Sequence, residues 1–304
     1  MKLITTDEQL RSLIPHVLAT VEGEATLLEK LTPFLETAEE WLKLYFVPDD
    51  IFDAIAESTT AAETAVADQP EGALSQSEAS ERNSSLFTLH SSLSKIVANH
   101  GFLNAIPSLD LVLTPNGFGI VSNQNVAPAS KERVERLLAS LEQERDRNIE
   151  QLLLRLPFVK GWEQSAQGKY FASTMFPFLS LCRKLAIQEH IWDNYQQLHD
   201  RLIKIENVLA ETYFSQEQMQ VFRNKVMDQM RTCHPLEEQI IRSLQSLEMM
   251  LVSDMQCHPQ SFYDLVNIIR EHEEIFSAWH SSSVAELYTP KIFENKKSSS
   301  GFWF

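Results

Sequence analysis

The sequence predicts a mainly α-helical chain, a multi-helix bundle with one β-hairpin at about 109–122. Apolar residues recur at three- and four-residue spacing through most of its 304 positions. Glycine is scarce, at 8 residues, whereas α/β nucleotide folds use glycine at their phosphate loops. One stretch alone, "LDLVLTPNGFGIVSNQNVAPAS" at 109–130, alternates apolar and polar residues around a Pro-Asn-Gly turn.

Residues 6–19 read as a first short helix, with Thr6 as its cap before Asp7 and Glu8. A second helix spans roughly Glu24–Phe46, with Leu27, Leu28, Leu31, Leu35, Ala38, Trp41, Leu42 and Tyr45 at helical spacing and Pro33 expected to kink or divide it. Pro48-Asp49-Asp50 opens a short helix through Ile55. The stretch 57–85 is rich in Ala, Ser, Thr and Glu and nearly free of large apolar groups, so it reads as a mobile insertion whose start extends the preceding helix by a turn or two. Helix resumes near Ser85 and runs to about Ala105.

The hairpin strands are expected at Leu109–Thr114 and Phe118–Ser122, with Pro115 at position i+1 of a type I turn and Asn116-Gly117 closing it. An isolated hairpin is marginal in water. This one therefore either folds down on its own helices or pairs with another molecule's strand. Ser130 caps a long helix, 131–156, with Val134, Leu138, Leu141, Ile149, Leu152 and Leu156 in one stripe and a densely charged opposite face. The second half reads as helical over 163–190, 192–213, 215–231, 235–254 and 259–280, with Pro235 and Pro259 at first-turn positions. The implied organisation is a helical region at 1–157, a helical bundle at 158–285 and an extended aromatic tail at 286–304. A weak repeat relates 39–55 to 205–222; chance similarity of amphipathic helices explains it as well as duplication does.

Lys+Arg is 26 and Asp+Glu is 42, a formal net charge of −16. That balance argues against coating duplex nucleic acid. No apolar run reaches the roughly 20 residues that span a bilayer, and the N-terminus lacks a secretory h-region. Three cysteines, Cys182, Cys233 and Cys257, form no disulfide framework and fit a reducing cytoplasm.

Cys233-His234-Pro235 and Cys257-His258-Pro259 offer four zinc-type donors, but adjacent residues at a helix start do not easily converge on one ion, and ordinary helix entry is the favoured reading. Arg183 and His190 lie seven apart on one expected helix, a spacing similar to an Arg/His motif of some helical ribonucleases. The polar residue usual beside that arginine is missing from "KLAIQE". Asp49, Asp50, Glu271, Glu273 and Glu274 read as solvated charges. No phosphate loop, nucleophile elbow or His-Glu-x-x-His occurs. No catalytic, cofactor or metal residue is assigned.

The segment "DLVLTPNGFGIVSNQNVAPASKERVERLL" (110–138) resembles the signature of an uncharacterised Bacteroidales protein family that tends to sit among prophage structural genes. The ending "ENKKSSSGFWF" (294–304) resembles that family's Gly-and-aromatic C-terminus. Helices around a hairpin also resemble the head–tail connector (adaptor) proteins of tailed phages. The resemblance implies a non-enzymatic virion protein, made in the cytoplasm, that assembles with itself as a ring or with other virion proteins. Its expected contacts are Leu111, Leu113, Asn116, Gly117, Phe118, Ile120, Phe302, Trp303 and Phe304. The rival readings are a host helical interaction protein without a phage role and a nuclease-like enzyme using Arg183 and His190.

Overall fold

Capping chemistry sets the first helices of the computed structural model, which describes residues 3–14, 26–65, 76–109, 111–114, 117–120 and 130–289, without side chains at 58–85 and 111–120. Thr6 Oγ1 accepts the Gln9 amide and the Gln9 side chain accepts the Thr6 amide, opening α1 (Asp7–Leu13). It stops at Ile14, which leaves the helical region before Pro15. Thr26 and Glu29 repeat the box at α2 (Leu27–Tyr45). This helix runs undivided through Pro33, because Leu31, Leu35, Ala38 and Leu42 are buried along one face and hold it.

Helix α3 spans Asp49–Ala65 and α4 spans Gln76–Leu109. Both ends of the expected insertion 57–85 are therefore helical. Pro70 and Gly72 fall between the two helices, and 76–85 contains neither breaker. α4 packs against α1, α2, α3 and α5 (Lys131–Leu153). Leu89, Leu93, Ile96, Val97, Ala98, Phe102 and Ala105 are buried around its circumference, which is why it shows no clean amphipathic stripe. Its crossing with α2 is tight: a Cβ on Gly101 would lie 2.8 Å from Leu35 Cδ2.

The expected fold class needs correction. The class is all-α, and the hairpin expected from 109 does not begin there. Leu109 ends α4, four residues after buried Ala105, so helical spacing claims it first. Among the described residues, β pairing is confined to two four-residue segments, β1 (Leu111–Thr114) and β2 (Gly117–Ile120), in the register Leu111↔Ile120 and Leu113↔Phe118. The expected turn at Pro115-Asn116 and the end of the second strand lie outside the described residues.

The continuous helix expected at 163–190 is also replaced. After α5 come single 3-10 turns at Leu156–Phe158 and Trp162–Gln164, then α6 (Ala166–Phe171) and α7 (Ser180–Lys184). Aromatic packing fixes this irregular arm. Trp162 Nε1 donates to Phe46 O at 2.7 Å, Tyr195 Oη donates to Phe176 O at 2.8 Å, and Phe46 packs on Phe171 and Trp192.

The chain divides into two compact units, Met1–Gln197 and Leu198–Phe304, within α8 (Ile191–Leu209). The second unit continues through a π turn (Ala210–Phe214), α9 (Gln216–Met227), α10 (Pro235–Val252), α11 (Pro259–Glu271), α12 (Ser277–His280) and α13 (Ser283–Tyr288). Trp279 Nε1 and Tyr288 Oη donate to the Tyr213 and Thr212 carbonyls, satisfying backbone oxygens at the π turn. In both halves of the weak repeat a Tyr-Phe pair closes a helix and the phenylalanine, Phe46 or Phe214, is fully buried.

Candidate functional site

The densest charged cluster of the first unit lies on α5, on the face expected to be solvated. Glu142, Asp146 and Glu150 recur every four residues, so they share one side of the helix. Arg145, Asp146 and Glu150 are all buried. Each acid has its own partner. The Arg145 guanidinium binds Asp146 Oδ1 through Nε at 2.8 Å and Nη2 at 2.7 Å, and reaches Glu142 at 3.3 Å. Burial nevertheless raises Asp146 to about 6, against the favourable pull of Arg145.

The two residues of the nuclease-like reading come to this row but not to one point. Arg183 Nη2 lies 3.6 Å from Glu150 Oε1, and His190 Nδ1 lies 3.2 Å from Glu142 Oε1. Those carboxylates are eight residues apart, about 12 Å along a helix. Burial pushes Glu150 above the usual carboxylate range, while Arg183 and the backbone amides of Leu179 and Ser180 at the start of α7 pull it back. The acid row thus works as a fastening strip. Glu150 holds α7, Glu142 holds His190 just ahead of α8, and Asp146 neutralises a buried arginine.

Aromatic rings flank the strip. His100 stacks on Trp41 with centroids 4.1 Å apart, and the Arg145 guanidinium lies 5.9 Å from the Trp41 ring. Burial, helped by the positive Arg145, lowers His100 to about 4. Cys182 is buried, and burial together with the charges of Asp146 and Glu150 pushes its thiol up to about 12. It is held as a thiol, the unreactive form.

The Cys-His-Pro pairs serve as helix entries. His234 Nδ1 accepts the Leu236 amide and His258 Nδ1 accepts the Gln260 amide, each at 3.2 Å, with Pro235 and Pro259 as first helical residues. Cys233 Sγ donates to Glu237 Oε2 at 3.4 Å and Cys257 Sγ to Leu247 O at 3.5 Å. Among the described residues no group of three or more His, Cys, Asp or Glu side chains is arranged to hold a metal.

Of the expected assembly contacts, Leu111, Leu113, Gly117, Phe118 and Ile120 lie on β1 and β2. Asn116, Phe302, Trp303 and Phe304 lie outside the described residues. The residues that sequence reasoning missed are His100, Arg145, Asp146 and Glu150, and it places Trp41 only on the apolar face of its helix. Arg145 and Asp146 carried a signal, since they follow Leu141 at positions where the apolar spacing of α5 calls for a buried side chain.

Residues 53–172 match the model of DUF6712, a family of unknown function. The matched stretch contains α4, β1, β2, α5 and α6, and with them the acid row. No curated protein and no solved structure matches the chain. No helix among the described residues is long and apolar enough to cross a membrane.

Proposed function

We propose that this chain is a non-enzymatic structural protein of phage or prophage origin, a connector- or neck-like component that acts by associating with copies of itself or with other virion proteins. The observation that carries the reading is large apolar side chains held outward on helices: Leu44 at 66% exposure, Phe87 at 63%, Val208 at 62% and Leu287 at 73%. A preformed helix that presents leucine or phenylalanine to water supplies apolar contact area without a cost for ordering its backbone. The first-unit charges support the same reading, because Arg183, His190 and the α5 acids are engaged in fastening one segment to another. The resemblance of 110–138 and 294–304 to a prophage-associated family supplies the setting. The protein is then made in the cytoplasm and ends in the virion.

Two measurements test this. Mass spectrometry of virions released on prophage induction is expected to find the chain; its absence from purified particles overturns the phage role and leaves the host interaction protein. Sedimentation of the full chain alone, or with the virion proteins found beside it, is expected to show an assembly that Leu44→Glu, Phe87→Glu and Leu287→Glu dissociate. Retention of the assembly in all three variants rejects these faces as contacts.

A further inference from the structure

The second unit buries three charged side chains that no reading of the surface accounts for. Arg223 Nε on α9 donates to Glu206 Oε2 on α8 at 2.8 Å. Glu206 and Glu248 have no exposure and Arg223 has 8%. Glu248, from α10, completes the group but receives nothing: both of its carboxylate oxygens are buried without a hydrogen-bond partner. The charges of both Glu206 and Arg223 act on Glu248, so one guanidinium serves two carboxylates away from solvent. Ionised, the group carries a net negative charge and leaves a bare buried anion, which is heavily penalised. With Glu248 as the neutral acid, the charges of Glu206 and Arg223 cancel.

We propose that Glu248 is a proton-operated latch, which as the neutral acid lets α10 close over the Glu206–Arg223 pair and on ionisation loosens α10 from α8 and α9. Burial first, and the charge of Glu206 second, push Glu248 well above the usual carboxylate range, with Arg223 opposing. The groups facing it are few. Glu206 on α8 and Arg223 on α9 act on it by their charges, and His199, also buried, lies seven residues before Glu206 on α8. The flanking positions on α10 itself, Leu244 and Val252, are apolar. α11 turns Phe262, Leu265, Val266 and Ile269 inward and keeps Asp264 and Arg270 exposed. A group whose folded value is raised contributes fully below its unfolded value, and the contribution is lost as pH rises through the folded value. The latch therefore opens on the alkaline side.

The full chain tests it by infrared spectroscopy of the carboxyl groups, with melting followed across pH 7–9, above the range in which Asp146 titrates. The native chain is expected to show a protonated-carboxyl band that survives to neutral pH and fades as pH rises, together with a several-degree fall in Tm. Glu248→Gln is expected to lack the band and to flatten the fall. Glu206→Gln hands Arg223 to Glu248 and is expected to remove the band while the chain stays folded, so the idea remains testable should Glu248→Gln not fold. A band that persists unchanged in either folded variant, or a native chain with no such band at neutral pH, overturns the proposal.

Discussion

The imidazole of His100 lies on the indole of Trp41, with ring planes 17° apart, and its Nδ1 is buried without a hydrogen-bond partner. The same neighbourhood holds Asp146, and the two groups titrate in opposite senses. His100 has a folded value lowered to about 4, so its contribution is complete above the unfolded value of 6.5 and is lost as pH falls towards 4. Asp146 has a folded value raised to about 6, so its contribution is complete below the unfolded 3.8 and is lost as pH rises through 6. Each change amounts to about 3 kcal/mol at 1.36 kcal/mol per pH unit. Between pH 4 and 6 they nearly offset. His100→Phe, which keeps the stack, is expected to lose stability as pH rises over that range, and Asp146→Asn to gain it. Urea unfolding at four pH values measures both slopes; parallel profiles in the two variants reject the account.

Glycine 168 is required by contact. A Cβ there would lie 2.1 Å from Trp162 O and 2.8 Å from its carbonyl carbon, both backbone atoms that cannot rotate away. Gly168→Ala is expected to displace the Trp162–Gln164 turn and with it the Trp162–Phe46 hydrogen bond, at a cost above about 3 kcal/mol. Gly101→Ala meets the movable end of the Leu35 side chain at 2.8 Å and the Leu35 backbone N and Cα at 3.3 Å, which need give only a few tenths of an ångström, and should cost about 1–2 kcal/mol. Thermal melts rank the two; equal losses would show that the 162–168 backbone yields.

The same apolar spacing that made the helices legible also hid the charges inside them. On α10 the series Ile241, Leu244, Glu248, Val252 keeps the spacing of a buried face, and Glu248 fills one of its places. On α8 Glu206 stands between Leu202 and Leu209, and on α9 Arg223 follows Met219 and Phe222. Glu206 and Arg223 are buried because each meets the other from a different helix, and pairing across elements leaves no local trace. The broken segment 156–190 was illegible for a related reason. Its helices are interrupted by tertiary hydrogen bonds such as Trp162 to Phe46, 116 residues away, and not by glycine or proline alone.

The histidine caps give a stability test that is local. His234 and His258 accept backbone N–H groups through Nδ1, an atom that must be unprotonated to do so. His234→Ala and His258→Ala should each cost about 1 kcal/mol, and the Asn variants should recover most of it, since asparagine is a preferred N-cap. Equilibrium unfolding of the four variants decides; an alanine variant as stable as the native chain would show that its cap contributes nothing.

Helix ends in this chain use residues other than glycine where glycine is normally found. At the end of α7 the Ile187 amide reaches Cys182 O and the Ala186 amide reaches Arg183 O, with Ala186 at φ 59°. At α9 the Met230 amide reaches Lys225 O and the Gln229 amide reaches Val226 O, with Gln229 at φ 53°. At α10 the Met255 amide reaches Met250 O and the Asp254 amide reaches Leu251 O, with Asp254 at φ 57°. All three are Schellman closures with a side-chain residue in the left-handed position. A Cβ there costs roughly 1 kcal/mol that glycine avoids, less what glycine adds to the entropy of the unfolded chain. Ala186→Gly and Gln229→Gly are therefore expected to raise stability by about 0.5–1 kcal/mol each. Asp254→Gly also removes the pair with Arg201, 2.7 Å long but largely exposed, so its gain should be smaller. The three sites share no described partner, so their effects should add. Differential scanning calorimetry of the single and triple variants measures this, and a lower Tm for Ala186→Gly would show that the native chain carries no strain at that closure.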